Sequence, residues 1–385
     1  MPPQPECRVE LTGFEFCIQS DGTGTSLAEP GRFTRARSCE TLWPVTRWVV
    51  SLAIFASLAI ARASVTIDGR EYVPLSEIAA SEGMSAPSST GGKVFDASGN
   101  GRSIRVKKNS RDSIVNGVRM WLAFPVIEQG GRALVSKSDY DHVLRPAFRP
   151  ESVKGIAPVR TIVLDPGHGG HDRGASGLGM LEKDLTLDMT RRVRQRLEKA
   201  GFKVVQTRTG DKFIPLENRP TAANRMSNAI FVSLHFNSAD WNRNANGVEV
   251  YAIPVRGTPP TGQKSPLDRD REQVAGHASE AASAVLANTV MHSLRGGMDS
   301  YDRGVKRARF SVLRNAKTPA ILIESGFLTN ATEARKIATS AWRDRHADCI
   351  ARGIAEYAAL AEKGKRPRTV TDYGGRPTTD FVPES

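Results

Sequence analysis

A chain of 385 residues, 39% of them hydrophobic, is long enough for two domains and apolar enough for packed cores. Its formal net charge of +13 suits an anionic partner, whether nucleic acid, a membrane surface or an acidic polysaccharide, and charge does not choose among them. Of the four cysteines, Cys7, Cys17 and Cys39 precede residue 63; a chain cleaved there keeps Cys349 alone, which excludes an intramolecular disulfide and a thiolate zinc cluster.

Residues 46–64 read TRWVVSLAIFASLAIARAS. The apolar run 48–60 follows an arginine, is short for a bilayer span of ~20 residues, and ends in the small-x-small pattern ARA at 61–63. Residues 1–63 are therefore expected to be a secretory signal peptide with a doubtful N-terminal extension. The 45 residues before the apolar run are long for such a signal, so the true start is expected downstream of Met1. The alternative is an uncleaved anchor. Either way the chain is expected to be exported to the periplasm or cell envelope, as a free or membrane-tethered protein.

Residues 64–150 carry short strand-like runs, SVTIDGREYVPL, SIRVKK, DSIVNGVRMWL and ALVS, with a short helix at SEIAASEG and a loop at SAPSSTGG. Asn-Gly between apolar residues in IVNGV is a strong hairpin signal. These features predict a small α+β module without a catalytic cluster. It resembles the small N-terminal domain of copper amine oxidases and of several exported bacterial hydrolases. That resemblance implies an adhesion or spacing role and no copper chemistry.

Over residues 159–362 strands and helices alternate. RTIVLD (160–165), FKVVQTRT (202–209), AIFVSLHF (229–236), GVEVYAI (247–253), FSVL (310–313) and PAILIE (319–324) read as strands. Residues 182–201 read as a helix with Leu185, Met189, Val193 and Leu197 on one face, stopped by Gly201. Residues 215–228 predict a short helix interrupted at Pro220, 272–294 a long one, and 331–362 are mostly helical. The pattern predicts an α/β domain, a mixed, mostly parallel sheet with helices on both faces. Residues 363–385 read as a disordered basic tail.

The polar residues sit where strands end. His168 follows TIVLD, His235 ends AIFVSL, Glu324 ends PAILI, and Glu182 opens the helix after the first strand. In open α/β sheets the carboxyl edge of the strands is where ligands bind. Each residue alone has a bland explanation. His168 fits a turn, His235 a buried rim, and Glu182 a helix first turn. Glu324 is the least comfortable, since a carboxylate after four apolar residues is costly to bury unpaired. Together they suit one zinc ion: His168, Glu182 and His235 as ligands with a position left for water, and Glu324 as the general base. Gly167, Gly169 and Gly170 would let the backbone pass close to the metal. Asp165 and Asn237 are candidates to orient a ligand or touch substrate. His171 is a weaker metal candidate, and His277 and His292 read as surface or packing residues on a helix.

GHGGHD keeps only part of a dinucleotide fingerprint, and no phosphate-loop lysine follows, so no nucleotide is expected. No H-E-x-x-H or G-x-S-x-G motif is present. The segments TIVLDPGHGGHDRGASG, LEKDLTLDM, VVQTRTGD, ENRPTAANRMSNAIFVSLHFNS, GVEVYA and DRGVKRARFSVLRNAKTPAILIESGFLTN together resemble the zinc-dependent N-acetylmuramoyl-L-alanine amidases of bacteria. The likeness runs from about residue 160 to 360. It implies cleavage of the amide between N-acetylmuramic acid and the stem-peptide L-alanine, with peptidoglycan as the partner and no nucleic acid. It also implies zinc on His168, Glu182 and His235, and catalysis by Glu324.

The chain departs from that pattern in a Pro-rich insertion, PVRGTPPTGQKSPLDRDR, at 254–271. The insertion either shapes the substrate groove or covers the zinc, and an activator protein is a further candidate partner. Two rivals stay open at this point. One is a zinc peptidase cutting another amide. The other is a wall-binding protein whose zinc only staples the fold.

Overall fold

The computed structural model describes residues 64–363 and 368–381. The candidate signal segment and all of residues 1–63 lie outside them. Among the described residues no helix is long and apolar enough to cross a membrane.

The part after residue 159 is built on six strands in the spatial order Lys203–Gln206, Thr161–Pro166, Ala229–Asn237, Ala320–Phe327, Val248–Ala252 and Asp302–Arg307. The first four run parallel. Val248–Ala252 is antiparallel to Ala320–Phe327 and parallel to Asp302–Arg307. The central strands are continuous apolar runs because both of their faces are covered; all six residues of Thr161–Pro166 are buried.

The two faces differ in thickness. Ile162, Leu164, Ile230, Val232, Leu234, Ile321 and Ile323 pack under the long helices Glu182–Lys199, Glu280–Gly297 and Ser340–Lys363. The expected face of Glu182–Lys199 is the buried one, with Leu185, Met189, Val193 and Leu197 inside. Two of these helices cross closely: a Cβ on Gly353 would stand 2.5 Å from Val290 Cα. On the opposite face Val163, Phe231 and Leu322 meet Ile253, Val312 and Leu313 under the short helices Thr221–Asn224 and Ser311–Arg314. Strand alternation puts His235 on the side of Phe231, and Glu324 on the side of Leu322. Both therefore belong to the thinner face.

Several expected elements change. FSVL, read as a strand, is the helical turn Ser311–Arg314 with Val312 and Leu313 buried; four apolar residues alone do not separate a strand from a buried helical turn. The helix expected from 272 begins at Glu280, after the 3-10 turn Ala275–Ser279. The expected loop SAPSSTGG contains the strand Ser88–Thr90. Asp302–Arg307 was not expected at all. Its charged sequence hides the period-two signal, and its side chains are instead consumed in ion pairs with neighbouring strands and helices.

That unexpected strand joins the module of residues 64–150 to the six-stranded part of the sheet. It pairs with Val118–Trp121 through Val305 and Met120. The sheet then continues antiparallel through Asp112–Val115, Arg102–Lys107, Val94–Gly99 and Ser88–Thr90, eleven strands in all among the described residues. The Asn-Gly hairpin forms as expected, with φ of 51° at Asn116 and 79° at Gly117.

Of the expected tail 363–385, residues 368–381 lie against this junction; residues 364–367 and 382–385 lie outside the described residues. Thr378 Oγ1 donates to Asp302 Oδ2 at 2.6 Å, and Arg105 Nη1 to the Thr379 carbonyl at 2.8 Å. The centre of the junction is Arg119, 1% exposed. Its Nε donates to Asp112 Oδ1 at 3.0 Å, and its Nη atoms reach the carbonyls of Asp302 and Asp380. Breaking a buried pair from one side costs about 3–5 kcal/mol. Arg119→Ala is therefore expected to lower the unfolding free energy by that order in a denaturant titration. An unchanged midpoint would contradict a welded junction.

Candidate metal centre

Four elements converge on one point. The parallel register sets His235 beside Glu324, and the antiparallel register sets Glu324 beside Glu249, so three neighbouring strands present one polar row. His168 stands in the turn after Thr161–Pro166 with φ of 60°, a left-handed conformation that is strained for a residue with a Cβ. The turn is held from outside. Arg219 Nη2 donates to the His168 carbonyl at 2.9 Å, and Asp172 Oδ1 lies 2.8 Å from His168 Nδ1.

Glu182, 4% exposed, is the focus of the site. Its Oε1 lies 3.0 Å from His168 Nε2 and 3.0 Å from His235 Nδ1. The same oxygen accepts the Phe236 amide at 3.0 Å, and Oε2 accepts the Ala175 amide at 2.8 Å. One donor atom from each of His168, Glu182 and His235 falls within 4.8 Å of the others. Burial alone would raise the Glu182 pKa, but hydrogen bonds from both imidazoles outweigh it and hold the carboxyl well below its usual range. Burial likewise depresses His168, while Glu182 and then Asp172 overcome this and lift its pKa above the ordinary value.

Two glycines make the convergence sterically feasible. A Cβ at Gly167 would sit 2.3–2.6 Å from the His235 ring. One at Gly174 would sit 2.6 Å from Glu182 Oε2 and 2.7 Å from His168 Cδ2. Gly169 and Gly170 clear the backbone of Lys212 and Phe213, so of the three expected glycines only Gly167 makes room at the site itself.

Glu324 completes the row. Its Oε2 is buried without a hydrogen-bond partner. Burial first, then repulsion from Glu182 and Glu249, pushes its pKa well above the usual range, with Lys306 opposing. Glu249 is itself secured by Arg303, by Lys306 Nζ at 2.7 Å and by Asn237 Nδ2 at 3.3 Å. Asn237 thus reaches past the strand that carries Glu324. Asp165 does not join the donor group. It is fully buried beneath it, accepting from Ser233 at 2.8 Å and Arg219 at 3.1 Å, and Arg219 in turn grips the Pro166 and His168 carbonyls.

His171 packs on Phe213, 4.2 Å between ring centroids, and stays out of the group. His292 is buried on the helix Glu280–Gly297, and His277 lies in the preceding 3-10 turn. Asp172, Arg219, Glu249 and Lys306 were not singled out from sequence. Asp172 alone left a signal, four residues after His168 in the same loop. A cavity of about 710 Å³ lies between the 96–117 strands and residues 368–379, away from all of these residues.

Two imidazoles and a carboxylate, with an unpartnered carboxylate beside them, form a donor set suited to a borderline divalent ion such as zinc. The family model described as N-acetylmuramoyl-L-alanine amidase matches residues 162–356, which carry all four groups. The chain belongs to the N-acetylmuramoyl-L-alanine amidase family. By family it is a peptidoglycan amidase. It is 29% identical to the amidase LytC of Bacillus subtilis over 289 residues, covering 73% of this chain and 50% of LytC. With the amidase AmiA of Escherichia coli the identity is 33% over 220 residues, covering 51% of this chain and 76% of AmiA. The solved structure of the amidase AmiC2 of Nostoc punctiforme is 36% identical, covers 53% of this chain and 98% of its own, and superposes with a TM-score of 0.42. The family match begins after the 64–150 module.

Proposed function

We propose that this amidase hydrolyses the bond between the lactyl group of N-acetylmuramic acid and L-alanine, with one zinc ion on His168, Glu182 and His235 and with Glu324 as the acid–base group. The observation that carries this reading is the convergence of those three donors beside the unpartnered Glu324 Oε2. Zinc, when bound, supplies Lewis acidity toward the carbonyl oxygen and toward water. The chain's own residues do the rest. Glu182 fixes the two imidazoles, and Asp172 sets the tautomer of His168 through Nδ1. Asp165 is a positioning residue acting through Arg219, and Asn237 steadies Glu249 beside Glu324. Glu324 removes a proton from the attacking water and returns it to the departing L-alanine nitrogen.

The family's substrate and the apolar segment at 48–60 support export to the envelope, and the basic 64–150 module is a candidate wall-contact surface. The test is product analysis on purified peptidoglycan. Free lactyl groups on muramic acid together with new L-alanine amino termini are expected. New amino termini at any other residue would instead identify a peptidase.

A further inference from the structure

The Pro-rich insertion lines a second cavity, about 590 Å³, together with the segment that follows Asp302–Arg307. Arg269, Arg309 and Arg314 line it together with Phe310 and Gln263. The Arg309 side chain is only 9% exposed, yet neither of its Nη atoms has a hydrogen-bond partner. Its nearest anions stand too far for a hydrogen bond: Asp270 Oδ1 is 3.8 Å from Nε, and Glu272 Oε2 is 3.9 Å from Nη2. Asp270 Oδ2 accepts the Leu267 amide at 2.8 Å and Gln263 Nε2 at 2.7 Å, while its buried Oδ1, the atom nearest Arg309, makes no hydrogen bond. Arg314 Nε is buried without a partner too. Unsatisfied guanidinium nitrogens in a concave site are costly, and a carboxylate answers them with paired, charge-assisted hydrogen bonds.

One ring contact links the cavity to the strand that carries Glu249. Phe310 forms one of its walls and packs edge-on against Tyr251, with ring centroids 5.0 Å apart. Tyr251 is two residues from Glu249 on the same face of the strand, and Glu249 is the register partner of Glu324. With diagonal strand neighbours ~7–8 Å apart, the arginines lie on the order of 15 Å from Glu324. An extended peptide at ~3.3–3.6 Å per residue spans that in roughly four residues.

We propose that Arg309 and Arg314 form a carboxylate subsite that receives an acidic side chain or terminal carboxylate of the stem peptide, several residues beyond the scissile amide. This assignment rests on the amidase reading for its ligand. The Pro-rich insertion then shapes the substrate groove: it supplies Arg269 and orients the pocket wall.

The test measures binding of a released stem peptide by calorimetry, in its natural form and with its carboxylates amidated. The wild-type chain is expected to bind the natural form at least tenfold more tightly. Arg309→Gln and Arg314→Gln should each remove most of that preference while leaving affinity for the amidated peptide unchanged. Arg314 is partly exposed, so its variant serves if the buried Arg309 change disturbs folding. Equal wild-type binding of the two peptides, no binding at millimolar concentration, or full preference retained in a folded Arg314→Gln chain would overturn the subsite. Hydrolysis is read separately: a chain that discriminates the peptides but releases none from peptidoglycan would overturn the amidase reading and leave the subsite standing.

Discussion

Glu324→Gln is expected to reduce stem-peptide release by about 100- to 10,000-fold, the usual contribution of a positioned acid–base group. The substitution keeps the size and shape of the side chain. It removes a carboxylate that is held near two others, and the removed oxygen makes no hydrogen bond. The fold should therefore be intact, and stability unchanged or improved. Metal content should also persist, because Glu324 is not one of the three converging donors. The measurement is kcat on purified peptidoglycan beside metal analysis of the same sample. A kcat within a few-fold of the parent would remove Glu324 from the mechanism.

His235→Ala is expected to abolish both activity and retained metal. The loss of affinity should exceed the roughly 10- to 100-fold typical of removing a supporting residue around a ligand. Glu182 explains why. Its carboxylate is buried and kept ionised by the two imidazoles, so deleting one leaves a buried charge short of a partner. A pH dependence follows from the other imidazole. His168 must be unprotonated at its ligating nitrogen, and its pKa in the metal-free chain is raised above the ordinary histidine value. Metal affinity is thus full above that raised value and falls as pH drops through it, since protons then compete for the site. Calorimetric titration with zinc across pH 5–8 reads this directly. A flat profile would show that His168 is not a ligand.

The residues that converge were more legible in the sequence than the frame around them. His168, His235 and Glu324 stand at the ends of apolar runs, where a polar side chain has no packing reason to be, and Glu182 opens a helix at the same edge. Such residues are visible because they break a pattern. Asp172, Arg219 and Glu249 break none. They sit in loops or in a strand where charge is ordinary, and only folding reveals that Arg219 bridges Asp165 and the His168 carbonyl. The strand Asp302–Arg307 escaped for the same reason. Its stability comes from Glu249, Glu280 and the Arg119 junction instead of an apolar stripe. Without that strand the sequence reads as two separate modules, whereas the chain folds with one sheet running through both. A polar composition does not reveal that Pro377 against Gly117 and Thr378 against Asp302 give residues 368–381 a specific seat.

The His168–Glu182–His235 cluster is expected to work by holding a metal. The most direct measurement is release of stem peptides from purified peptidoglycan by the chain after chelation and then after zinc is restored. Release is expected to stop on chelation and to return with stoichiometric zinc. Undiminished release from a chain shown by metal analysis to be stripped would contradict it.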